Sequence, residues 1–284
     1  MSKYTERFLR VPDGLSLFAR DYAAEGGERG VPVLCLHGLT RNSSDFGVLA
    51  SRIAALGRRV IVPDVRGRGR SDNDPVPDRY RPNIYVSDAV ALLDMLEIPH
   101  AVFIGTSMGG IITMLAAVMA PTRIAAAVLN DIGPEIDPRG IARIGSYVGK
   151  EGPFASWNEA IAAVRESQRD NFPDRDDTFW EGFARRVMRE REGRVEYAYD
   201  PAIASTFGGA PPASMAPLFE ALAKVPVLVI RGALSDLLSE QGVETMRRIK
   251  PDLQYAEVPG VGHAPTLNES VSWNAIEKFL ISLP

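Results

Sequence analysis

Residues that bind metal ions are scarce in this chain. Its 284 residues include one cysteine, Cys35, and three histidines, His37, His100 and His263. Cys35 falls within an apolar run typical of a buried strand, and no group of histidine and cysteine has the spacing of a zinc site. The chain also has no motif for an organic cofactor. We therefore expect a protein that uses neither a metal ion nor a cofactor.

Long apolar runs and an excess of positive charge are also lacking. The longest apolar stretch, residues 111–120, is too short to span a bilayer. The first ten residues contain no apolar segment of the kind found in secretion signals. A formal net charge of -4 argues against nucleic acid as a partner. We therefore expect a cytoplasmic protein that binds neither nucleic acid nor membranes and acts on a small molecule.

A G-x-S-x-G pattern at residues 105–109 is the most informative motif of the chain. It follows the apolar run 101–104 and precedes the helix-like run 110–117. A strand, a tight turn and a helix around this pattern are typical of a nucleophile elbow. The glycines make room for a strained serine whose hydroxyl is exposed. The pattern therefore predicts that Ser107 is a nucleophile.

A serine hydroxyl needs a base to take its proton, and the base is most often a histidine. His100 precedes the strand that leads to Ser107, so we expect it at the far end of that strand and on the surface. His37 ends an apolar strand, and we favour a role in ordering the loop that follows. His263 lies in a glycine-rich loop after a late strand. We therefore predict that His263 is the base.

The histidine in turn needs an acid to orient its ring. Asp236 follows the strand-like residues 227–232 and gives the chain order nucleophile, acid, histidine that accompanies such an elbow. Asp131 also ends a strand at the same edge of the sheet and is the alternative acid. We predict Asp236.

Four motifs of the chain, and the order in which they occur, resemble those of the α/β-hydrolase fold family. They are the His-Gly pair at residues 37–38, the turn at 64–72, the elbow at 105–110 and the Gly-His pair at 262–263. The resemblance runs along nearly the whole chain. It implies that the backbone N–H groups of Leu39 and Met108 form an oxyanion hole, which lowers the barrier to acyl transfer by roughly 3 kcal/mol per group.

Strand-like and helix-like segments alternate except between residues 133 and 214. Together with the resemblance, this alternation predicts an α/β-hydrolase fold, with a mostly parallel eight-stranded sheet flanked by helices. We expect residues 1–132 and 215–284 to form the core. Residues 133–214, which contain no buried strand signal, are predicted to form a mainly helical cap inserted after the sixth strand. Of the aromatic residues in this cap, Tyr147, Trp157 and Trp180 are predicted to line the substrate pocket, although most cap aromatics are expected to pack against the core.

A serine at the elbow favours acyl chemistry, because family members that open epoxides or displace halide usually carry aspartate there. Family members that cleave carbon–carbon bonds of ring-fission products resemble this chain at residues 107–110. They usually have a tryptophan after the catalytic histidine and extra glycines after the His-Gly pair, whereas this chain has Ala-Pro at 264–265 and Leu-Thr-Arg at 39–41. We therefore predict an esterase that hydrolyses a carboxylic ester of a small to medium substrate through an acyl-enzyme on Ser107.

Three alternatives stay open. A lactone presents the same carbonyl group to the same catalytic residues, so a lactonase is the nearest variant. A carbon–carbon bond hydrolase is the second alternative. The fold also includes binding proteins without catalysis, but the presence of Ser107, His263 and a candidate acid makes such a protein the least favoured prediction.

Overall fold

The computed structural model describes residues 3–150, 152–208 and 214–283. Its main feature is an open sheet that runs through the molecule. The strands of the described residues are β1 (Thr5–Arg10), β2 (Ser16–Tyr22), β3 (Val33–Leu36), β4 (Val60–Pro63), β5 (Ala101–Thr106), β6 (Ile124–Asn130), β7 (Met188–Arg191), β8 (Arg194–Tyr197), β9 (Val227–Gly232) and β10 (Gln254–Val258). Eight of them form one sheet in the order β1-β2-β4-β3-β5-β6-β9-β10. The strand β2 is antiparallel to both neighbours, and all other pairs in the sheet are parallel.

Helices cover both faces of this sheet. The α-helices of the described residues are α1 (Gly47–Ala55), α2 (Pro82–Met95), α3 (Met108–Met119), α4 (Pro138–Tyr147), α5 (Trp157–Gln168), α6 (Asp177–Val187), α7 (Ala216–Glu220), α8 (Glu240–Ile249) and α9 (Ser270–Ile281). Along β5, Phe103 packs in one apolar cluster with Leu93 of α2, and Ile104 packs in the other with Leu49 of α1. A strand buried on both faces reads as a continuous apolar run. The predicted mostly parallel eight-stranded sheet flanked by helices is therefore confirmed.

The described residues between β6 and β9 contain the α-helices α4 to α7 and the antiparallel pair β7–β8. The sequence shows no buried strand in this segment, and the structure adds a short hairpin, β7–β8, whose strands are largely exposed or half-buried. The two residues of its turn, Glu192 and Gly193, both have positive φ, 52° and 73°. This is the geometry of a two-residue hairpin turn, for which glycine at the second position is a local signal. The division into a core and a cap at residues 132/133 and 214/215 stays a prediction.

The turn after β4 contains a buried ion cluster. The guanidinium of Arg66 donates to the carboxylates of Asp13 at 2.8 Å, Asp74 at 2.7 Å and Asp88 at 2.6 and 2.7 Å. Asp74 is fully buried, and only 2% of the Arg66 side chain is exposed. Since a buried carboxylate is costly without a partner, this single arginine keeps the turn in its folded form.

We expect Arg66→Met to lower the free energy of unfolding by about 3–5 kcal/mol, because it leaves buried carboxylates without their cation. Urea unfolding followed by circular dichroism measures this change. The matched control is Arg81→Gln, whose side chain is 60% exposed and should change stability by less than about 0.5 kcal/mol. Equal stability of Arg66→Met and the wild type would contradict the structural role of the cluster.

Candidate active site

Ser107 stands between β5 and α3 in a backbone conformation that L-residues rarely adopt, with φ 51° and ψ −113°. The glycines of the motif allow the strand and helix to approach each other. A Cβ atom on Gly109 would lie 2.0 Å from the carbonyl oxygen of Leu36, and one on Gly105 would lie 2.3 Å from the carbonyl oxygen of Gly109. Only glycine fits at these two positions, so the local sequence produces the tight turn that presents Ser107.

Three polar side chains form a continuous line of hydrogen bonds at this turn. The Ser107 hydroxyl lies 2.9 Å from Nε2 of His263, and Nδ1 of His263 lies 2.8 Å from Oδ2 of Asp131. With the Nδ1 proton donated to the carboxylate, Nε2 is free to accept the proton of the serine hydroxyl. The arrangement can therefore activate Ser107 as a nucleophile.

Asp131 is fully buried at the end of β6. Besides His263, its carboxylate accepts hydrogen bonds from the Gly232 amide at 2.8 Å and from the Ser235 hydroxyl at 2.6 Å. These two donors compensate the cost of burying the charge. They also fix the carboxylate in the position from which it orients the imidazole ring.

Asp236, the predicted acid, does not occupy this position. Its carboxylate accepts hydrogen bonds from Nε and Nη2 of Arg143, at 2.6 and 2.8 Å. Burial would raise the pKa of Asp236, but the hydrogen bonds and charge of Arg143 outweigh burial and hold this pKa below its usual range. The Asp236 carbonyl also accepts the Gly140 amide of α4 at 3.0 Å. Packing against α4 thus directs this aspartate to Arg143, and the alternative acid, Asp131, is the one that bonds to His263.

Two asparagines that the sequence analysis did not single out hold the loop of His263. The Asn171 side chain accepts the His263 amide at 3.0 Å, and its backbone carbonyl accepts the Gly262 amide at 2.7 Å. On the other side, Asn130 donates to the carbonyl of Pro265 at 2.8 Å. Asn171 lies between α5 and α6, far from His263 in the chain, so no local pattern indicates this contact.

The other two histidines lie outside the hydrogen-bonded line. His37 is fully buried, with Nδ1 at 2.8 Å from the Gly38 carbonyl and Nε2 accepting the Val65 amide at 3.0 Å. Burial lowers the pKa of His37, so it is a neutral residue that orders the loop after β3. His100 is exposed on the surface.

Leu39 and Met108, the predicted oxyanion residues, are both near Ser107, because Met108 follows it in the chain and Leu39 lines the same cavity. Met108 begins α3, and the first N–H groups of a helix have no acceptor within it. Gly38 and Leu39 line the same cavity as Ser107, and a Cβ atom on Gly38 would lie 3.8 Å from the Ser107 Cβ. The oxyanion role of these two amides stays a prediction.

Arg68 links the two predicted oxyanion residues from behind. Its Nε donates to the Leu39 carbonyl at 3.0 Å, and its Nη2 lies 3.7 Å from Sδ of Met108. Only 1% of this residue is exposed, and its guanidinium packs over the rings of Tyr80 and Tyr85. The turn at 64–72 therefore places one buried cation in contact with both predicted oxyanion residues.

A cavity opens above Ser107 and His263, and the predicted pocket residues differ in their relation to it. Tyr147 lines this cavity, whereas Trp157 and Trp180 are not among its lining residues in the described chain. Trp180 is 2% exposed and packs among Phe172, Phe179 and Phe183. The guanidinium of Arg185 covers the Trp157 ring at 4.1 Å. Both tryptophans thus stabilise the packing of the segment between β6 and β9, and the prediction that they line the pocket is wrong.

The described residues contain no group of three or more histidine, cysteine, aspartate or glutamate side chains placed to hold a metal ion. Cys35 is buried as a free thiol, and burial raises its pKa. No helix in the described part of the chain is long and apolar enough to cross a bilayer.

The sheet order, the strained serine between β5 and α3, and the hydrogen bonds to His263 define the class of α/β-hydrolases. A family model described as "alpha/beta hydrolase fold" matches residues 31–270. The chain therefore belongs to the α/β-hydrolase fold family, as its motifs predict.

Several proteins similar to this chain are named hydrolases. The chain is 36% identical to the 3-hydroxybutyrate-oligomer hydrolase of Cupriavidus necator, over 82% of this chain and 83% of that protein. It is 27% identical to the 2-(acetamidomethylene)succinate hydrolase of Mesorhizobium japonicum, over 87% of each chain. A crystal structure of an alpha/beta hydrolase from Novosphingobium aromaticivorans is 45% identical, has a TM-score of 0.92 and covers 99% of both chains.

Because Asp131 bonds to His263 and Asp236 bonds to Arg143, substitutions of the two aspartates should have different effects. Asp131→Asn should lower kcat for p-nitrophenyl butyrate by about 10⁴-fold, because the amide favours the wrong histidine tautomer. Asp236→Asn should lower it less than about tenfold, because the Asp236 carboxylate binds Arg143. Steady-state kinetics measure both, and thermal unfolding controls for loss of fold. If Asp236→Asn lost most of its activity and Asp131→Asn kept its activity, Asp236 would be the acid after all.

The contacts of Arg68 predict an indirect effect on catalysis. Loss of one oxyanion donor costs about 10²–10³ in kcat. Arg68→Met removes the contacts with the Leu39 carbonyl and the Met108 sulfur but neither backbone amide, so it should cost about 10- to 100-fold. KM for the same ester should change little. The matched control is Arg70→Met in the same turn, since Arg70 is 47% exposed. Equal kcat values for Arg68→Met and Arg70→Met would show that Arg68 does not position the site.

Proposed function

We propose that this protein is a serine hydrolase that cleaves carboxylic esters of small to medium substrates. The observation that carries the proposal is the line of hydrogen bonds from Ser107 through His263 to Asp131 beneath a cavity. Hydrolysis of an ester needs a nucleophile, a base that becomes an acid, and donors for the oxyanion. Each of these groups has a candidate at this site.

In the first half of the proposed reaction, Ser107 attacks the ester carbonyl carbon while its proton moves to Nε2 of His263. The carbonyl π electrons move to the oxygen, and the N–H groups of Leu39 and Met108 stabilise the oxyanion that forms. Asp131 stabilises the imidazolium. The oxyanion then re-forms the carbonyl, the bond to the alcohol oxygen breaks, and His263 returns the proton to that oxygen.

In the second half, a water molecule attacks the acyl group on Ser107. Its proton moves to His263, and the resulting tetrahedral intermediate again places its negative oxygen at the two backbone amides. When this intermediate collapses, the bond to the Ser107 oxygen breaks and His263 returns the proton to Ser107. The products are a carboxylic acid and an alcohol, so the enzyme is regenerated without a cofactor.

The composition of the cavity supports a short, polar substrate. Apolar side chains on its wall include Ile144, Val164 and Val187. The same wall contains many polar groups, which are Thr40, Arg41, Asp45, Thr106, Ser167, Gln168, Arg186, Thr266 and Asn268. The Oδ1 atom of Asn268 is buried and accepts no hydrogen bond within the described residues. Since a buried polar atom without a partner is costly, this lining is better suited to a substrate with hydrogen-bonding groups than to a long alkyl chain.

The relatives support an ester in particular. The relative from Cupriavidus necator is named for the hydrolysis of 3-hydroxybutyrate oligomers, and such oligomers are linked by carboxylic esters. A serine at the elbow performs this acyl transfer directly. We therefore favour esters of short hydroxy acids as the substrate group.

Hydrolysis of p-nitrophenyl esters from acetate to octanoate tests this proposal. We expect turnover with a maximum at short chain lengths, and a loss of at least about 10³-fold in Ser107→Ala. Labelling by a fluorophosphonate provides a second measure of an activated serine, and Ser107→Ala should abolish it. Turnover that persists in Ser107→Ala would overturn the mechanism. Labelling without turnover of any ester would overturn the assignment of esters as the substrate class.

A further inference from the structure

Three charged side chains line the cavity that also contains Ser107 and His263. Arg41 and Asp45 belong to the loop between β3 and α1, and Arg186 lies in the last turn of α6. They come from two distant parts of the chain and lie close together on the cavity wall. Two cations and one anion thus leave an excess of positive charge on this part of the wall.

Asp45 is committed mainly to Arg41. Its two carboxylate oxygens accept hydrogen bonds from Nε and Nη2 of Arg41, at 2.6 and 3.0 Å. The Arg41 guanidinium also covers the ring of Phe183 at 4.1 Å. Arg41 is therefore held in place by a bidentate ion pair and by a ring, two contacts that fix its orientation.

Arg186 also lies over the Phe183 ring, at 5.6 Å, but no described residue forms a bidentate ion pair with it. Its Nε lies 3.7 Å from Oδ1 of Asp45, which is beyond hydrogen-bond distance. Burial lowers the pKa of Arg186, and the nearby charge of Asp45 opposes this effect. An arginine nevertheless stays protonated in proteins. Because about two thirds of its side chain is shielded from solvent, Arg186 presents a partly desolvated cation to the cavity.

We propose that Arg186, supported by Arg41, binds a carboxylate group of the substrate. A guanidinium has five N–H donors in a planar fork that matches the two oxygens of a carboxylate. The preferred substrates would then be esters that also carry a free carboxylate, such as short linear oligomers of hydroxy acids. This inference rests on the proposed ester hydrolase function and names the substrate group of that same site.

The other charges around the cavity favour the same orientation of the substrate. The carboxylate of Asp131 binds His263, and Asp236 is neutralised by Arg143. A substrate carboxylate is thus repelled by the Asp131 charge next to His263 and attracted to Arg186. A substrate held by Arg186 must then present its ester carbonyl to Ser107, which lines the same cavity.

Arg186 also makes a structural contact that does not involve its side chain, so a test of carboxylate binding must keep this contact. Its backbone carbonyl accepts a hydrogen bond from the Asn42 side chain at 2.7 Å. A side-chain substitution preserves that backbone contact. Arg186→Gln therefore removes the charge while keeping the link between α6 and the loop after β3.

The test is calorimetric titration of Ser107→Ala, which binds substrate without turnover, with the linear dimer of 3-hydroxybutyrate and with its neutral methylamide. We expect the acid to bind at least tenfold more tightly than the methylamide. In Ser107→Ala with Arg186→Gln, the two affinities should become equal within about twofold through weaker binding of the acid. The matched control is Arg185→Gln, which removes the same charge one residue away, from a side chain that packs on Trp157 outside the cavity.

Equal binding of the acid and the methylamide by Ser107→Ala would overturn the carboxylate site, and so would failure of the acid to bind at millimolar concentration. A preference that survives Arg186→Gln, or that Arg185→Gln removes equally, would also overturn it. Turnover of neutral p-nitrophenyl esters by the wild-type protein tests the ester hydrolase function separately. If the acid binds through Arg186 but no ester is cleaved, the function fails and the carboxylate site stands.

Discussion

The buried carboxylate of Asp131 is the constraint on which the candidate site depends. Asp131 follows β6 at the carboxyl end of the sheet. Its carboxylate accepts hydrogen bonds from the Gly232 amide of β9, from the Ser235 hydroxyl and from His263. A charge without access to water is stable only when such donors surround it. Those donors fix the orientation of the Asp131 carboxylate. The carboxylate in turn fixes the orientation of the His263 ring. The position of the Ser107 hydroxyl relative to a base therefore follows from how one carboxylate is buried.

The segment between β6 and β9 completes the site that the sheet begins. The Asn171 side chain accepts a hydrogen bond from the backbone of the histidine loop. The backbone carbonyl of Arg186 accepts a hydrogen bond from Asn42, and its side chain lines the cavity. One segment of the chain therefore contributes both to the wall of the cavity, through Arg186, and to the support of the histidine loop, through Asn171. A change in this segment can alter the cavity while the sheet stays the same.

Much of the fold follows from local pattern. The apolar runs at β3, β4, β5, β6 and β9 predict buried parallel strands, and the motif at 105–109 predicts the turn that presents Ser107. The hairpin β7–β8 was missed because its strands are short, charged and partly exposed, so they have no apolar run. The sequence predicts Trp157 and Trp180 in the pocket because it shows that the segment is rich in aromatic residues. It does not show which way each ring points.

The sequence by itself determined the candidates for the nucleophile and its base. Glycine at 105 and 109 is required by contacts of 2.0–2.3 Å within a few residues of Ser107 or in the adjacent strand. His263 is favoured by its glycine-rich loop after a late strand, whereas His100 precedes the strand of Ser107 and His37 is better explained by the order of the loop after β3. Only the tertiary structure decided which aspartate bonds to His263. Asp131 and Asp236 both follow strands that end at one edge of the sheet, so chain order does not separate them. The choice depends on α4, whose Arg143 binds Asp236, and on the pairing of β6 with β9, which places the Gly232 amide on Asp131.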